Sequence, residues 1–203
     1  MTNEHTALIY DHYKDTCSII GAAIKRRDRL MAFVIITLGF FTFSAFFPSS
    51  SSQAIGQFLN FKFGLSLQIN LHIIGSIIWF FLLVFTIRYF QTAVFIERQY
   101  KYLHQIENNL NLQFGKDLIL REGKAYLSGY PLFSNWMWLL YTIVFPLLLF
   151  LVTAAKITNE WFYNPKSLGL ILNSFLFLLL TISIFLYFHL LHFSKKVVGG
   201  GAK

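Results

Sequence analysis

The residue pair best spaced for chemistry in this sequence is His189 and His192. They are three positions apart and would share one face of a helix, which is a weak spacing for metal ligands. No cysteine or carboxylate follows nearby to complete a tetrahedral site. We therefore predict two structural histidines at a membrane interface and no bound metal.

Signatures of hydrolytic or phosphoryl-transfer enzymes are missing from the sequence. It contains no G-x-S-x-G, no H-E-x-x-H and no phosphate-binding glycine loop. A membrane-embedded lipid enzyme would have to use Arg121, Glu122 and His189, and nothing in their spacing favours it. We predict no catalytic residues, no cofactor and no enzymatic activity.

Four long apolar runs are the elements that would position any functional side chain. The chain is 56% hydrophobic and only 13% charged, and each run approaches or exceeds the roughly 20 residues that cross a bilayer. This predicts an all-α membrane protein with four transmembrane helices, at Met31–Phe47, Leu71–Tyr89, Trp136–Ala155 and Leu168–Leu191.

The distribution of lysine and arginine predicts the orientation. These residues concentrate before the first run, between the second and third, and after the fourth. The positive-inside rule then places both termini, and the segment between the second and third runs, in the cytoplasm (N-in/C-in). The residues expected to anchor the helices at the two interfaces are Arg26, Arg27, Arg29, Trp136, Trp138 and Trp161.

Helical periodicity extends beyond the apolar runs and predicts a cytoplasmic stalk. Ile9, Tyr13, Cys17, Ile20 and Ile24 follow a 3.6-residue spacing, and a similar pattern continues from Arg88 to Phe114. We expect these two amphipathic helices to pair antiparallel. Residues 118–127 then favour a small β-hairpin before the third run, with an interfacial loop as the alternative.

These elements divide the chain into five segments. They are a cytoplasmic amphipathic helix (1–30), a first transmembrane hairpin (31–90), a cytoplasmic helix and hairpin segment (91–134), a second transmembrane hairpin (135–194) and a tail (195–203) whose Gly199–Gly200–Gly201–Ala202–Lys203 looks like a cloning linker.

Polar residues inside the runs are few. The central parts of the runs lack Asp, Glu, Lys and Arg, which disfavours ion-coupled transporters and voltage sensors. Asn173 is the costliest to bury, and with Ser174 it is a candidate oligomer or pore contact. Pro146 lies within the third run and is expected to kink it.

The first half of the chain resembles a known architecture. A helix ending in Arg26-Arg27-Asp28-Arg29-Leu30, a two-span hairpin, and a helix that begins Arg88-Tyr89 and continues Glu97-Arg98-Gln99-Tyr100-Lys101 resemble SLATT-type membrane effectors of bacterial conflict systems. In size and pass number the whole chain is also similar to the membrane subunit of the anti-phage system Kiwa. The first resemblance implies a pore-forming effector, and the second implies a homo-oligomer that senses the membrane and recruits a cytosolic protein.

The function expected from these observations is a sensor or scaffold of anti-phage defence in the inner membrane. Its partners would be membrane lipids, further copies of itself (a tetramer is one candidate) and a cytosolic protein, with no direct binding to nucleic acid. The alternatives are a pore that depolarises the inner membrane and an immunity protein against a pore-forming bacteriocin. The residues expected to contact the cytosolic partner are Glu97, Arg98, Lys101, Arg121, Glu122 and Lys124.

Overall fold

The computed structural model describes residues 3–64, 71–114, 132–163 and 168–192, and nearly all of them are helical. The predicted β-hairpin at 118–127 lies outside these ranges, and the described residues contain no strand. The elements in chain order are α1 (Asn3–Phe46), α2 (Pro48–Phe63), α3 (Leu71–Phe114), α4 (Leu132–Leu139), a π-helical turn (Leu140–Val144), α5 (Phe145–Tyr163) and α6 (Leu168–His192).

The helices α1 and α3 are each 44 residues long. The prediction that α3 continues well past its apolar run is confirmed, and α1 likewise joins the N-terminal amphipathic segment to the first apolar run without a break. The internal residues of both helices include no proline. At about 1.5 Å per residue each helix is roughly 66 Å long, about twice the hydrocarbon thickness of a bilayer.

The chain divides into two compact units. The first unit contains Met1–Arg29 and Tyr89–Thr142, and the second contains Leu30–Arg88 and Ile143–Lys203. In the first unit, α1 and α3 share a buried core made of Tyr13, Ile20, Leu103, Ile106 and Leu110. The predicted pairing of the two amphipathic helices is therefore confirmed.

In the second unit, a chain of aromatic contacts joins four helices. Phe41 of α1 packs edge-on against Trp79 of α3, with ring centroids 4.7 Å apart. Trp79 then meets Phe177 of α6 at 6.1 Å, and Phe177 stacks on Phe150 of α5 at 6.1 Å. The apolar half of α1 is therefore packed into the same bundle as the three other apolar helices.

The outward faces of this bundle are apolar. Phe40, Phe80, Leu148 and Phe185, one on each of the four helices, are all exposed. Burying such side chains against lipid rather than water is strongly favourable. This pattern is consistent with a membrane protein.

Three described helices, rather than the expected four, contain segments long and apolar enough to cross a membrane: Gly75–Leu112, Trp136–Phe162 and Gly169–Leu191. The first predicted span is not among them. Its apolar stretch is bounded by Arg29 and by the end of α1 at Phe46, which places it at the short end of the range of about 17–25 residues that cross a bilayer.

The segment after α1, for which the sequence analysis predicts no element, forms the helix α2. It begins with Pro48, whose fixed φ suits the first helical turn, and ends at Gly64, which has φ +64° and donates its N–H to the carbonyl of Asn60 at 2.9 Å. The Ser49–Ser52 run suggested a loop, but start and stop residues at both ends favour a helix. Phe58 and Phe61 are exposed on it.

A π-helical turn, Leu140–Val144, lies directly before Pro146. In such a turn the carbonyl of Tyr141 would accept a hydrogen bond from residue 146, but proline has no N–H. The hydroxyl of Tyr89 donates to that carbonyl instead, at 3.3 Å. A neighbouring helix therefore satisfies the backbone acceptor that the proline leaves open.

Candidate functional site

A buried carboxylate lies in the core of the first unit. Glu107 on α3 is only 3% exposed, and its Oε1 accepts a hydrogen bond from the hydroxyl of Tyr13 on α1 at 3.3 Å. The Nδ1 of His104 is 3.8 Å from Oε2. Partners of this kind offset the cost of burying a carboxylate.

The Tyr13 phenol is held in its neutral form. Burial of the hydroxyl, followed by the nearby Cys17 and Glu107 side chains, raises the pKa of Tyr13 well above its ordinary value. The phenol therefore stays a hydrogen-bond donor to Glu107 at physiological pH. The periodicity of α3 included Ile106 and Leu110 but gave no reason to single out Glu107, which reads as an ordinary helix surface residue.

The residues expected to contact a cytosolic partner are only partly described. Arg98 and Lys101 are exposed on α3, and Glu97 is half-buried. Glu97 and Lys101 are four positions apart on α3, but they are not among the ion pairs of the described residues; a surface pair of this kind contributes little to stability. Arg121, Glu122 and Lys124 lie outside the described ranges.

The arginines before the first apolar run have different environments. Arg26 and Arg29 are exposed, as expected of residues that meet charged headgroups. Arg27 forms an ion pair with Asp28 at 2.8 Å, and its guanidinium carbon is 5.9 Å from the centroid of the Tyr141 ring.

The three tryptophans expected at the interfaces are all exposed. Trp136 and Trp138 lie on α4 in the first unit, and Trp161 lies near the end of α5 in the second. The indole N–H of Trp161 donates to the hydroxyl of Ser174 on α6 at 3.1 Å. Trp161 therefore also links two helices, a role that its sequence position did not suggest.

A charged cluster lies between α5 and α6 of the second unit. Lys156 Nζ is 3.2 Å from Oε1 of Glu160, and Oε2 of Glu160 accepts a hydrogen bond from Nδ2 of Asn173 at 2.8 Å. Lys156 Nζ also lies 5.9 Å from the centroid of the Phe41 ring on α1. The side chains of Lys156 and Glu160 are each only 17% exposed.

Sequence reasoning missed this cluster because it ended the third span at Ala155 and left Lys156 and Glu160 in a loop. In the structure α5 runs on to Tyr163. The signal was present, since Lys156 and Glu160 are four positions apart and no proline or glycine occurs before Pro165. Asn173 was singled out correctly as a costly buried residue, and the cluster supplies its partner.

Four buried polar atoms of the second unit have no hydrogen-bond partner among the described groups. They are Trp79 Nε1, Thr86 Oγ1, Asn173 Oδ1 and Thr181 Oγ1. Asn173 and Thr181 are eight positions apart on α6, which places them about 80° apart around that helix. The interior of this unit therefore contains polar atoms on two helices, α3 and α6.

Metal ligation finds no support in the described part of the chain, where no three His, Cys, Asp or Glu side chains come together. His189 is exposed near the end of α6, and the side chain of His192 lies outside the description. The polar clusters of both units join helices. Tyr13 and Glu107 link α1 to α3 in the first unit, and Lys156, Glu160 and Asn173 link α5 to α6 in the second.

No known protein family, curated protein or solved structure matches this chain.

Proposed function

We propose that this protein is a non-enzymatic scaffold of bacterial anti-phage defence, anchored in the inner membrane and recruiting a cytosolic partner. The observation that carries the proposal is the shared core of α1 and α3 in the first unit. These two helices are about twice as long as a bilayer is thick, so a stable, partly polar helical pair remains beyond the membrane to offer a docking surface.

The proposed topology has four spans with both termini in the cytoplasm. The apolar half of α1 supports a fourth span, because Phe41 packs on Trp79 and Phe33 stacks on Phe85 at 5.4 Å. Its exposed face carries Phe40 and Ile36, which suit lipid. The uneven distribution of Lys and Arg between the segments supports the orientation of the spans, with both termini in the cytoplasm.

The assignment to defence rests on the resemblance of residues 5–114 to SLATT-type effectors and of the whole chain to the Kiwa membrane subunit. The partner surface is proposed to include Glu97 and Lys101, together with Arg121, Glu122 and Lys124. Arg98, which is exposed and lies three positions before Lys101, is its neighbour on α3 and belongs to the same proposed surface.

The test is a tagged pull-down from native membranes in gentle detergent, followed by mass spectrometry. A soluble protein should copurify in fixed stoichiometry and be lost when Glu97→Lys and Lys101→Glu are combined. Asn159→Lys, an exposed change on α5, is the matched control and should retain it. Purification of the wild-type chain with no soluble partner would overturn the recruiting role.

A pore is the second candidate, and one observation favours it. The unpartnered hydroxyls of Thr86 and Thr181, with Trp79 Nε1, give the interior of the second unit a polar character. Asn173 and Ser174, the candidate oligomer or pore contacts, form hydrogen bonds within the chain with Glu160 and Trp161. Dye or ion leakage from proteoliposomes of the purified chain would select this candidate over the scaffold.

A further inference from the structure

The helix α2 carries a stripe of exposed apolar side chains. Ala54, Phe58 and Phe61 lie four and three positions apart, which places them within about 60° of one another around the helix. Phe58 is 57% exposed and Phe61 is 85% exposed. These three residues, which we call the apolar stripe, form a flank of α2 that the described part of the chain leaves uncovered.

A second stripe on α2 is polar. Gln53, Gln57 and Asn60 have the same spacing one position earlier, so they lie about 100° from the apolar stripe, and all three are exposed. The buried side of α2 lies on the other flank, where Ser51 is 1% exposed and Ile55 is half-buried. Around the helix, the buried side is therefore followed by the apolar stripe and then by the polar stripe.

A single residue separates α2 from the apolar half of α1. The helix α1 ends at Phe46 and α2 begins at Pro48, with Phe47 between them at φ −129° and ψ 63°. Hydrogen bonds continue across this corner, from the Phe47 N–H to the Phe43 carbonyl and from the Ser51 N–H to the Phe47 carbonyl, both at 2.9 Å. The helix α2 therefore starts directly at the end of the apolar stretch of α1.

Exposed aromatic rings lead along the chain from α1 to the start of α2. Phe40 belongs to the outward apolar face of the bundle, and Phe43, Phe46 and Phe47 after it are also exposed. The rings of Phe43 and Phe47 contact each other, with centroids 5.9 Å apart. The surface of the bundle that suits lipid thus continues up to the corner from which α2 departs.

Neither water nor the hydrocarbon core of a bilayer suits both stripes of α2. In water, the rings of Phe58 and Phe61 would stay unburied, which is unfavourable. In the hydrocarbon core, the amides of the polar stripe would lose their hydrogen bonds to water. The boundary between headgroups and acyl chains satisfies both stripes, and amphipathic helices that lie in the plane of a membrane occupy it.

The polar side of α2 lacks the positive charges that usually draw such helices to anionic lipids. Lys62 is the one charged residue in the sequence of α2. The cytoplasmic part of α1 differs in this respect, because Lys25, Arg26 and Arg29 are all exposed there. Attachment of α2 to a membrane would therefore depend on insertion of its aromatic rings and not on the charge of the headgroups.

We propose that the apolar stripe of α2 is a lipid-binding surface, and that its occupant is the boundary between headgroups and acyl chains of the outer leaflet, whatever the headgroup charge. The inference rests on the four-span topology proposed above. In this position α2 holds the end of α1 at the membrane surface. The short apolar stretch that ends at Phe46 can then serve as a complete span.

Spin labelling of the full-length chain in nanodiscs of zwitterionic phosphatidylcholine tests the position of α2. Cys17 is the only cysteine of the chain, so Cys17→Ala gives a cysteine-free background for Phe58→Cys and for its matched control, the neighbouring Gln57→Cys. The label at position 58 should be more accessible to oxygen, which concentrates in lipid, than to a water-soluble nickel chelate. The label at position 57 should show the reverse.

Two results would overturn the proposal. Equal accessibility of both labels to the nickel chelate would place the apolar stripe in water. Shielding of the position 58 label from both reagents would show that a protein surface, from a second copy or another chain, covers the stripe instead of lipid.

Two further readouts separate this proposal from the proposed topology. A Phe40→Cys label reports the outward face of the bundle, which is exposed. If that label favours the nickel chelate, the four-span topology fails. If it favours oxygen while the position 58 label favours nickel, only the proposal for α2 fails. In intact cells, a membrane-impermeant thiol reagent should modify Gln57→Cys, and protection from it would contradict an outer position of α2.

Lipid charge and ring removal supply a second measurement. Adding anionic phosphatidylglycerol to the nanodiscs, or raising the salt concentration, should leave the accessibility of the position 58 label unchanged. An Ala54→Cys label should move towards water when Phe58→Ser and Phe61→Ser are combined, whereas Gln57→Ser should not move it. A position 58 label that reaches lipid only in anionic nanodiscs, or an Ala54→Cys label that ignores the loss of both rings, contradicts insertion through the aromatic side chains.

Discussion

The hydroxyl of Tyr13 donates a hydrogen bond to the carboxylate of Glu107, a residue 94 positions further along the chain. This contact is a polar link between α1 and α3 beside a cluster whose other buried members, Ile20, Leu103, Ile106 and Leu110, are apolar. It fixes the vertical register of two long helices that apolar packing alone would allow to slide by a turn. Its removal should therefore affect the helical pair more than its single hydrogen bond suggests.

Tyr13→Phe should destabilise the first unit by about 1–3 kcal/mol, because it removes a donor from a buried carboxylate. Hydrogen exchange of the α1 amides in detergent or nanodiscs measures the effect as faster exchange between residues 9 and 24. Tyr10→Phe is the control, since Tyr10 is exposed. Equal exchange in wild type and Tyr13→Phe would contradict a stabilising role for the hydroxyl.

High pH should destabilise the packing of α1 against α3 in the first unit. The pKa of Tyr13 is raised by burial from its ordinary value of 10.0, so the neutral phenol stabilises the folded unit at every pH below 10. That contribution is lost as the pH rises above 10 towards the folded-state pKa. Exchange of the α1 amides, followed between pH 9 and 11.5, should show this loss in wild type. Tyr13→Phe should show a shallower pH dependence.

Glu160→Leu should weaken the packing of α5 on α6 by about 1–3 kcal/mol, since it leaves Lys156 and Asn173 in an apolar setting without their acceptor. Adding Lys156→Met should recover part of the loss, because an apolar pair replaces a charged one. Thermal unfolding in detergent measures both variants. A double variant that is less stable than Glu160→Leu alone would show that Lys156 has a separate role.

The Tyr89 hydroxyl and Pro146 should show coupled effects. Tyr89→Phe alone leaves the Tyr141 carbonyl without the hydroxyl donor and should cost about 1 kcal/mol. In a Pro146→Ala background the backbone regains an N–H, so the same change should cost less. A double-mutant cycle of thermal unfolding gives the coupling energy. Strict additivity would mean that the hydroxyl does not compensate for the proline.

Gly21→Ala should stabilise the first unit by about 0.5–1 kcal/mol. Gly21 lies inside α1, and a methyl group there would meet nothing within 4 Å. Alanine restricts the unfolded chain and favours the helix. Slower exchange of the α1 amides is the expected result, and unchanged or faster exchange would mean that the glycine serves close packing in an oligomer.

Most of the helical architecture was predictable, for reasons that particular residues make plain. The 3.6-residue spacing of Tyr13 and Ile20 on α1, and of Leu103 and Leu110 on α3, predicts both the amphipathic helices and their shared core. The run of α3 past Arg88 follows from the absence of a proline or glycine between Gly75 and Gly115.

The candidate sites were harder to predict from the sequence, because they depend on which side of a helix a polar residue faces. Glu107 and Lys101 are both charged residues on α3, yet one is buried and the other exposed. The cluster of Lys156, Glu160 and Asn173 joins α5 to α6. It was missed because the apolar run ends at Ala155, whereas α5 continues to Tyr163. The helix α2 was missed because a serine run favours a loop locally, while Pro48 and Gly64 favour a helix between them.

The distance along the chain between Tyr13 and Glu107 also sets an order of events during synthesis. The apolar face of the first half of α1 leaves the ribosome well before Leu103 and Leu110 exist to cover it. In the proposed topology the segment between them must enter the bilayer during that interval, so insertion precedes closure of the helical pair. An early chaperone or the membrane surface itself then has to shield Ile20 and its neighbours until translation has passed residue 110, and a stalled chain would expose that face.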